Sequence, residues 1–154
     1  MYKFGNESNE VLEKVNKYLV LTANLTISMS AIDISIAEWG GLRTAKYQKS
    51  LFNKGWSKAD GTNTISNHQK TDEEGKSMAL DLCAYHKSKQ NWNAERLVYM
   101  AGLMLCNFEK LKDEGKIPQD LYLHWGGLWR SKLGGMGWDL PHFELRTSKQ
   151  IPTI

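Results

Sequence analysis

Val11, Leu12, Val15, Tyr18 and Leu19 recur at the three-and-four spacing of one helix face, with Ser8 and Asn9 as its cap. Ile32, Ile34 and Ile36 then alternate with Asp33, Ser35 and Ala37, the pattern of a half-buried strand ending at Trp39, and Gly40-Gly41 breaks it. Thr44 to Asn53 reads as a short helix stopped by Gly55. Residues 55–77 are polar and punctuated by glycine, which predicts a long loop, and long loops in compact domains tend to be functional or disordered. Met78 to Ala84 is a short apolar strand. The strongest helix runs from Asn93 to Leu111, with an asparagine cap and Leu97, Met100, Ala101, Met104, Leu105 and Phe108 on one face, and Gly115 and Pro118 end it. Leu121 to Trp125 and His142 to Arg146 are two further strands. Between them lie Gly126-Gly127 and Gly134-Gly135-Met136-Gly137, which lack the Gly-Lys-Ser/Thr end of a phosphate loop and read as a flexible loop over a cleft. The elements sum to one small α+β domain over 1–154, an antiparallel sheet with flanking helices.

The 154 residues suit one domain with a real core. Charged residues are 24% and apolar ones 41%, which excludes a disordered tail, a collagen repeat and a disulfide-stapled miniprotein. Twenty Lys and Arg against 17 Asp and Glu give +3, too small an excess to argue for nucleic acid. The longest uncharged stretch, Tyr18 to Ile32, carries Thr, Asn and Ser throughout and falls short of the ~20 apolar residues of a membrane span. The N-terminal segment lacks the apolar core of a signal peptide, so the expectation is synthesis as a cytosolic product without membrane insertion. Cys83 and Cys106 form no CxxC motif; two buried apolar thiols are expected, with a disulfide as the alternative.

The chemistry rests on a few residues. Asp81 sits inside the apolar string Ala79-Leu80-Asp81-Leu82, where a carboxylate is costly unless it is paired or bound to a metal. His68 lies in the polar loop as Ser66-Asn67-His68, and His142 follows Trp138-Asp139-Leu140-Pro141 at a loop-to-strand junction. Two imidazoles and one carboxylate make a three-ligand zinc site with a fourth position open to water. If Pro141 turns the chain, Asp139 lies beside such a site without ligating it, where a general base belongs.

These strings together resemble the zinc D-Ala-D-Ala carboxypeptidase and L-alanyl-D-glutamate endopeptidase family of peptidoglycan enzymes, in its bacteriophage endolysin branch. The resemblance lies in SNH, GKSMALDL and WDLPHFEL, in Gly41-Leu42-Arg43 with Gln48, in Trp92-Asn93 with Glu95-Arg96 and Ala101-Gly102, and in Trp125-Gly126-Gly127 with Trp129. It runs from about Phe4 to Leu145. It implies the hedgehog/DD-peptidase-like fold, with His68, Asp81 and His142 as ligands of Zn2+ and Asp139 as general base and acid. It implies that Arg43 stabilises the oxyanion or holds the scissile carbonyl, that Gln48 orients Arg43 or the substrate, and that Ser66 donates a hydrogen bond to substrate or ligand. The implied activity is bacteriolytic cleavage of the L-Ala–D-Glu bond of peptidoglycan stem peptides by a monomer. Such an enzyme is made in the host cytoplasm and reaches the wall through a pore formed by another protein.

Alternatives stand beside this. The same site on a related scaffold trims a terminal D-Ala, and signalling domains of the same architecture hold zinc without known hydrolysis, so a zinc-stabilised wall-binding module is a third reading. In the usual family pattern the acid follows the histidine closely, whereas 13 positions separate His68 from Asp81. Asp72, Glu73 and Glu74 are therefore alternative acid ligands, although a charge run reads as a solvated face. His86 is expected on the surface and His124 in a structural role. Glu144 is either a partner for a histidine ligand or an exposed strand acid. Trp125, Trp129 and Trp138 either stack on substrate or belong to the core.

Overall fold

The computed structural model describes residues 1–129 and 137–147. The chain forms α1 (Asn6–Leu12), α2 (Lys17–Met29), β1 (Asp33–Ile36), α3 (Ala45–Asn53), β2 (Ala79–His86), β3 (Lys89–Asn91), α4 (Ala94–Asp113), β4 (Tyr122–Trp125) and β5 (His142–Arg146), with a 3-10 turn at Gly126–Leu128. Every pairing among these strands is antiparallel; the order is β1-β2-β5-β4, and β3 extends the far end of β2. The expected α+β class with one small antiparallel sheet is the one observed.

The first expected helix divides in two. Asn16 takes an extended backbone and its side chain accepts from the Tyr18 amide at 2.9 Å, so it caps a new helix where the apolar spacing predicted a continuous one. The uncharged stretch after it is α2. Leu19, Thr22, Ala23, Thr26 and Ile27 are its buried face, packed on α4. The buried hydroxyls stay inside because each has a partner. Thr22 Oγ1 donates to the Tyr18 carbonyl at 2.7 Å, and Asn107 Nδ2 of α4 donates to Thr26 Oγ1 at 3.1 Å. No described helix is long and apolar enough to cross a membrane.

On the other side of α4, Leu97, Met100, Met104 and Phe108 meet Leu80, Leu82, Phe143 and Leu145 of the sheet in one buried cluster. Cys83 is buried and Cys106 is exposed on α4, and both are free thiols. The expectation of two buried thiols therefore fails for Cys106, which stands one step off the apolar face. The β3 hairpin was not expected. Its turn puts Lys87 and Ser88 at φ of 49° and 62°, a left-handed pair that normally calls for Asn or Gly.

The polar segment between α3 and β2 contains no helix or strand, but it is organised. Thr71 bridges Ser77 antiparallel, Asp72 Oδ1 accepts from the Glu74 and Lys76 amides, and the Met78 amide returns to the Lys70 carbonyl at 2.9 Å. This small loop absorbs the extra residues between His68 and Asp81 and brings the chain back alongside His68.

Candidate metal and catalytic site

Sheet register builds the first half of the site. Asp81 of β2 and His142 of β5 are direct cross-strand partners, so their side chains share one face. Alternation then places Glu144 on that face too, while Phe143 and Leu145 enter the core. His68 arrives from the loop. Its amide lies 3.3 Å from Ser66 Oγ, and its carbonyl accepts from the Arg43 amide at 2.9 Å. His68, Asp81 and His142 are all buried.

The proton positions follow from the second partner of each ring. His68 Nδ1 lies 2.8 Å from the Gly41 carbonyl oxygen. A carbonyl only accepts, so Nδ1 carries the proton and Nε2 presents a lone pair. His142 Nε2 lies 3.0 Å from Glu144 Oε2, which takes that N–H and leaves Nδ1 of the neutral ring as a lone pair. These two nitrogens are 3.1 Å apart, and Asp81 Oδ1 lies 3.1 Å from the first and 3.0 Å from the second. Three lone pairs meeting at such distances repel unless a proton or a cation lies among them. A tetrahedral ion with ligands ~2.0–2.1 Å away holds them about 3.3 Å apart, close to the triangle observed, so the residues fit a metal.

Electrostatics agree with a cation-seeking site. Burial disfavours a charge on His142, but the hydrogen bonds to Asp81 and Glu144 and the nearby carboxylates outweigh it and raise its pKa to about 9. Burial pushes His68 down. For Asp81 burial acts upward, yet the two imidazoles and Arg43 hold its carboxyl well below the usual range. Glu144 is 3% exposed; against the effect of burial, His142 and Arg146 lower it to about 2. Arg146 Nε donates to Glu144 Oε1 at 2.5 Å. Of its two expected readings, Glu144 is thus the partner of a histidine, and its spacing two residues after His142 was the signal.

Arg43 is tied on several sides. Nε donates to the Trp39 carbonyl at 2.7 Å, Nη1 to Gln48 Oε1 at 3.2 Å and Nη2 to Asp81 Oδ2 at 2.5 Å. One N–H on each Nη remains beyond these bonds, and the side chain lines the cleft. Gln48 is fully buried and gives its amide protons to Ser57 Oγ at 2.7 Å and the Ala59 carbonyl at 3.0 Å. Of the two roles expected for Gln48, orienting Arg43 is the one its contacts fit. Ser66 lines the cleft. Asp72 does not join the site, since its carboxylate is engaged in its own turn and with Asn16 Nδ2 at 2.7 Å.

The cleft has a volume of about 690 Å³, and its walls include Arg43, Ser66, His68, Asp81, Asp139 and His142. Asp139 is carried by a turn in which the His142 amide lies 3.3 Å from the Asp139 carbonyl, and Trp125 Nε1 donates to the Leu140 carbonyl at 2.7 Å. Gly126 packs so closely on Asp139 that a Cβ there would overlap its backbone. Burial, then the charge of Asp81, raises the Asp139 pKa to about 6. Trp125 is buried in the core, whereas Trp129 and Trp138 line the cleft with their rings 5.6 Å apart. His86 is exposed, and His124 stands on β4 outside the cleft lining. Gly134, Gly135 and Met136 of the expected flexible loop lie outside the described residues.

The model of a family of phage L-alanyl-D-glutamate peptidases matches residues 1–145. The chain belongs to this peptidase family. Among solved structures it is similar to the crystal structure of the Serratia marcescens L-Ala D-Glu endopeptidase ChiX, with a TM-score of 0.64 and 22% identity over 95% of this chain and 90% of that one. That likeness supports the fold. No curated protein sequence matches significantly.

Proposed function

We propose that this chain is a zinc-dependent endopeptidase that cleaves the L-Ala–D-Glu bond of peptidoglycan stem peptides. The observation that carries the reading is the convergence of three lone pairs from His68, Asp81 and His142 in the same cleft as Asp139. Two imidazoles and one carboxylate are the donor set of a catalytic zinc, and three protein ligands leave a position open. Zinc, when bound, supplies a Lewis acid and lowers the pKa of water toward ~7.

Asp139 accepts a proton from the attacking water as the water oxygen bonds to the alanyl carbonyl carbon. The carbonyl π pair moves onto its oxygen. The remaining N–H groups of Arg43 face that developing charge, while its other bonds hold Asp81 in place. As the tetrahedral centre collapses, the C–N bond breaks and Asp139 returns its proton to the departing glutamate nitrogen. One water is consumed, a carboxylic acid and an amine are produced, the acid's proton passes on to the amine to give carboxylate and ammonium, and Asp139 is restored. A carboxyl with a pKa of about 6 suits both transfers near neutrality. Gln48 keeps Arg43 in position and Ser66 offers its hydroxyl to the substrate. We infer that it acts on the wall as a monomer, after release from the host cytoplasm through a pore made by another protein.

The test is mass spectrometry of purified peptidoglycan incubated with the protein, with chelator, with chelator and added zinc, and with Asp139→Ala. New stem peptides beginning at D-Glu, lost with chelator, restored by zinc and absent with Asp139→Ala, are expected. Loss of a terminal D-Ala alone would replace the endopeptidase with a carboxypeptidase. Zinc binding without any cleavage would leave a wall-binding module.

A further inference from the structure

The cleft already holds three carboxylates, those of Asp81, Asp139 and Glu144. A D-glutamate on the leaving side of the scissile bond brings another, because whichever of its carboxyls continues the stem, the other is free. That charge needs a cation. Four cationic side chains line the cleft: Arg43, Lys58, Lys70 and Arg146. Arg43 is paired with Asp81 and Arg146 with Glu144. Among the described residues, Lys58 and Lys70 have no carboxylate within ion-pair distance.

Lys58 differs from Lys70 in being held. Its Nζ lies 4.4 Å from the centre of the Trp138 ring, a cation–π seat that restrains a flexible side chain without neutralising it. Trp138 is the residue next to Asp139, the group that hands a proton to the departing glutamate nitrogen. Trp138 also packs on Trp129, whose ring lies 5.0 Å from that of His142. A continuous aromatic wall therefore connects the ring of His142 to Lys58, past the residue that precedes Asp139.

Resting on the proposed endopeptidase, we propose that Lys58, seated on Trp138, binds the free carboxylate of the glutamate on the leaving side and makes that charge a determinant of specificity. Lys58 is exposed, so its replacement leaves the fold intact. The experiment is steady-state kinetics on two synthetic stem peptides, one with L-Ala–D-Glu and one in which the free carboxyl of that glutamate is amidated. Wild type, Lys58→Gln and Lys58→Arg are compared.

Wild type is expected to prefer the carboxylate about tenfold in kcat/KM, mostly through KM, the scale of one charge-assisted contact. Lys58→Gln is expected to compress that preference to within about twofold, and Lys58→Arg to keep most of it. Equal cleavage of both peptides by wild type, or an undiminished preference in Lys58→Gln, overturns the role of Lys58 and leaves the endopeptidase standing. Cleavage of neither peptide by wild type overturns both.

Discussion

Arg43→Met removes a buried cation from a site built around it. Arg43 is 9% exposed and Asp81 3% exposed, so little water replaces the lost guanidinium. The change strips Asp81 Oδ2 of its 2.5 Å donor and leaves Gln48 Oε1 and the Trp39 carbonyl without theirs. Breaking a buried ion pair from one side costs about 3–5 kcal/mol, because the remaining charge stays buried. A domain of this size has a total stability of roughly 5–15 kcal/mol, so the metal-free variant still folds but melts roughly 6–20 °C lower. Zinc changes the balance. A divalent ion held by His68, Asp81 and His142 would supply countercharge that the variant lacks, so the loss of stability is expected to be smaller with zinc than without it. By linkage the variant is then expected to bind zinc at least as tightly as wild type, even though it lacks the donor proposed to face the carbonyl and its turnover is expected to fall. Arg43→Lys keeps the charge but not the fork, and lies between the two. The assays are thermal melts with chelator and with saturating zinc, together with zinc affinity by competition. A cost below about 1 kcal/mol in the chelated protein, or a larger cost with zinc than without it, refutes the account.

Asp139 is raised to about 6 in the metal-free protein, and a nearby cation lowers it, so the loaded enzyme loses kcat/KM on acidification with a midpoint at or below pH 6. A midpoint above 7, or an Asp139→Asn variant that keeps more than about a tenth of the activity, would remove Asp139 as the base. His142, raised to about 9, carries a proton at neutral pH that would have to leave before Nδ1 could ligate a metal. Zinc binding at pH 7 should therefore release about one proton, measurable by calorimetry in buffers of different ionisation enthalpy; no dependence on buffer would show that His142 is already neutral.

What the sequence disclosed depended on whether the signal was local. The α4 face and its Asn93 cap were legible because they repeat over many turns. Asp81 was legible because a carboxylate among apolar neighbours has few uses. The break at Asn16 was not, because the apolar spacing runs through it and the side chain's competition for the Tyr18 amide carries no periodic mark. The Lys87-Ser88 turn was hidden for the opposite reason: the backbone adopts a left-handed pair without the residues that favour it. The partners of Arg43 were the least accessible. Its pairing with Asp81 spans 38 positions and exists only because β2 and the segment after β1 meet in the fold. The same holds for Lys58, which nothing local distinguishes from other loop lysines until Trp138 is placed under it.

The arrangement also couples metal occupancy to base strength. Each histidine has one nitrogen bonded to a fixed acceptor, the Gly41 carbonyl or Glu144, so both rings are oriented before any ion arrives. In the metal-free state the proton on His142 is the positive charge among the three lone pairs, and Asp139, close to the Asp81 charge, titrates near 6. Exchanging that single proton for a divalent ion adds one positive charge beside Asp139. This charge would oppose the two influences that raise Asp139, its burial and the repulsion from Asp81, and so favour the deprotonated form proposed to accept the water proton. A cation held by His68, Asp81 and His142 would therefore do more than activate water; it would also favour in Asp139 the deprotonated form that the proposed reaction needs.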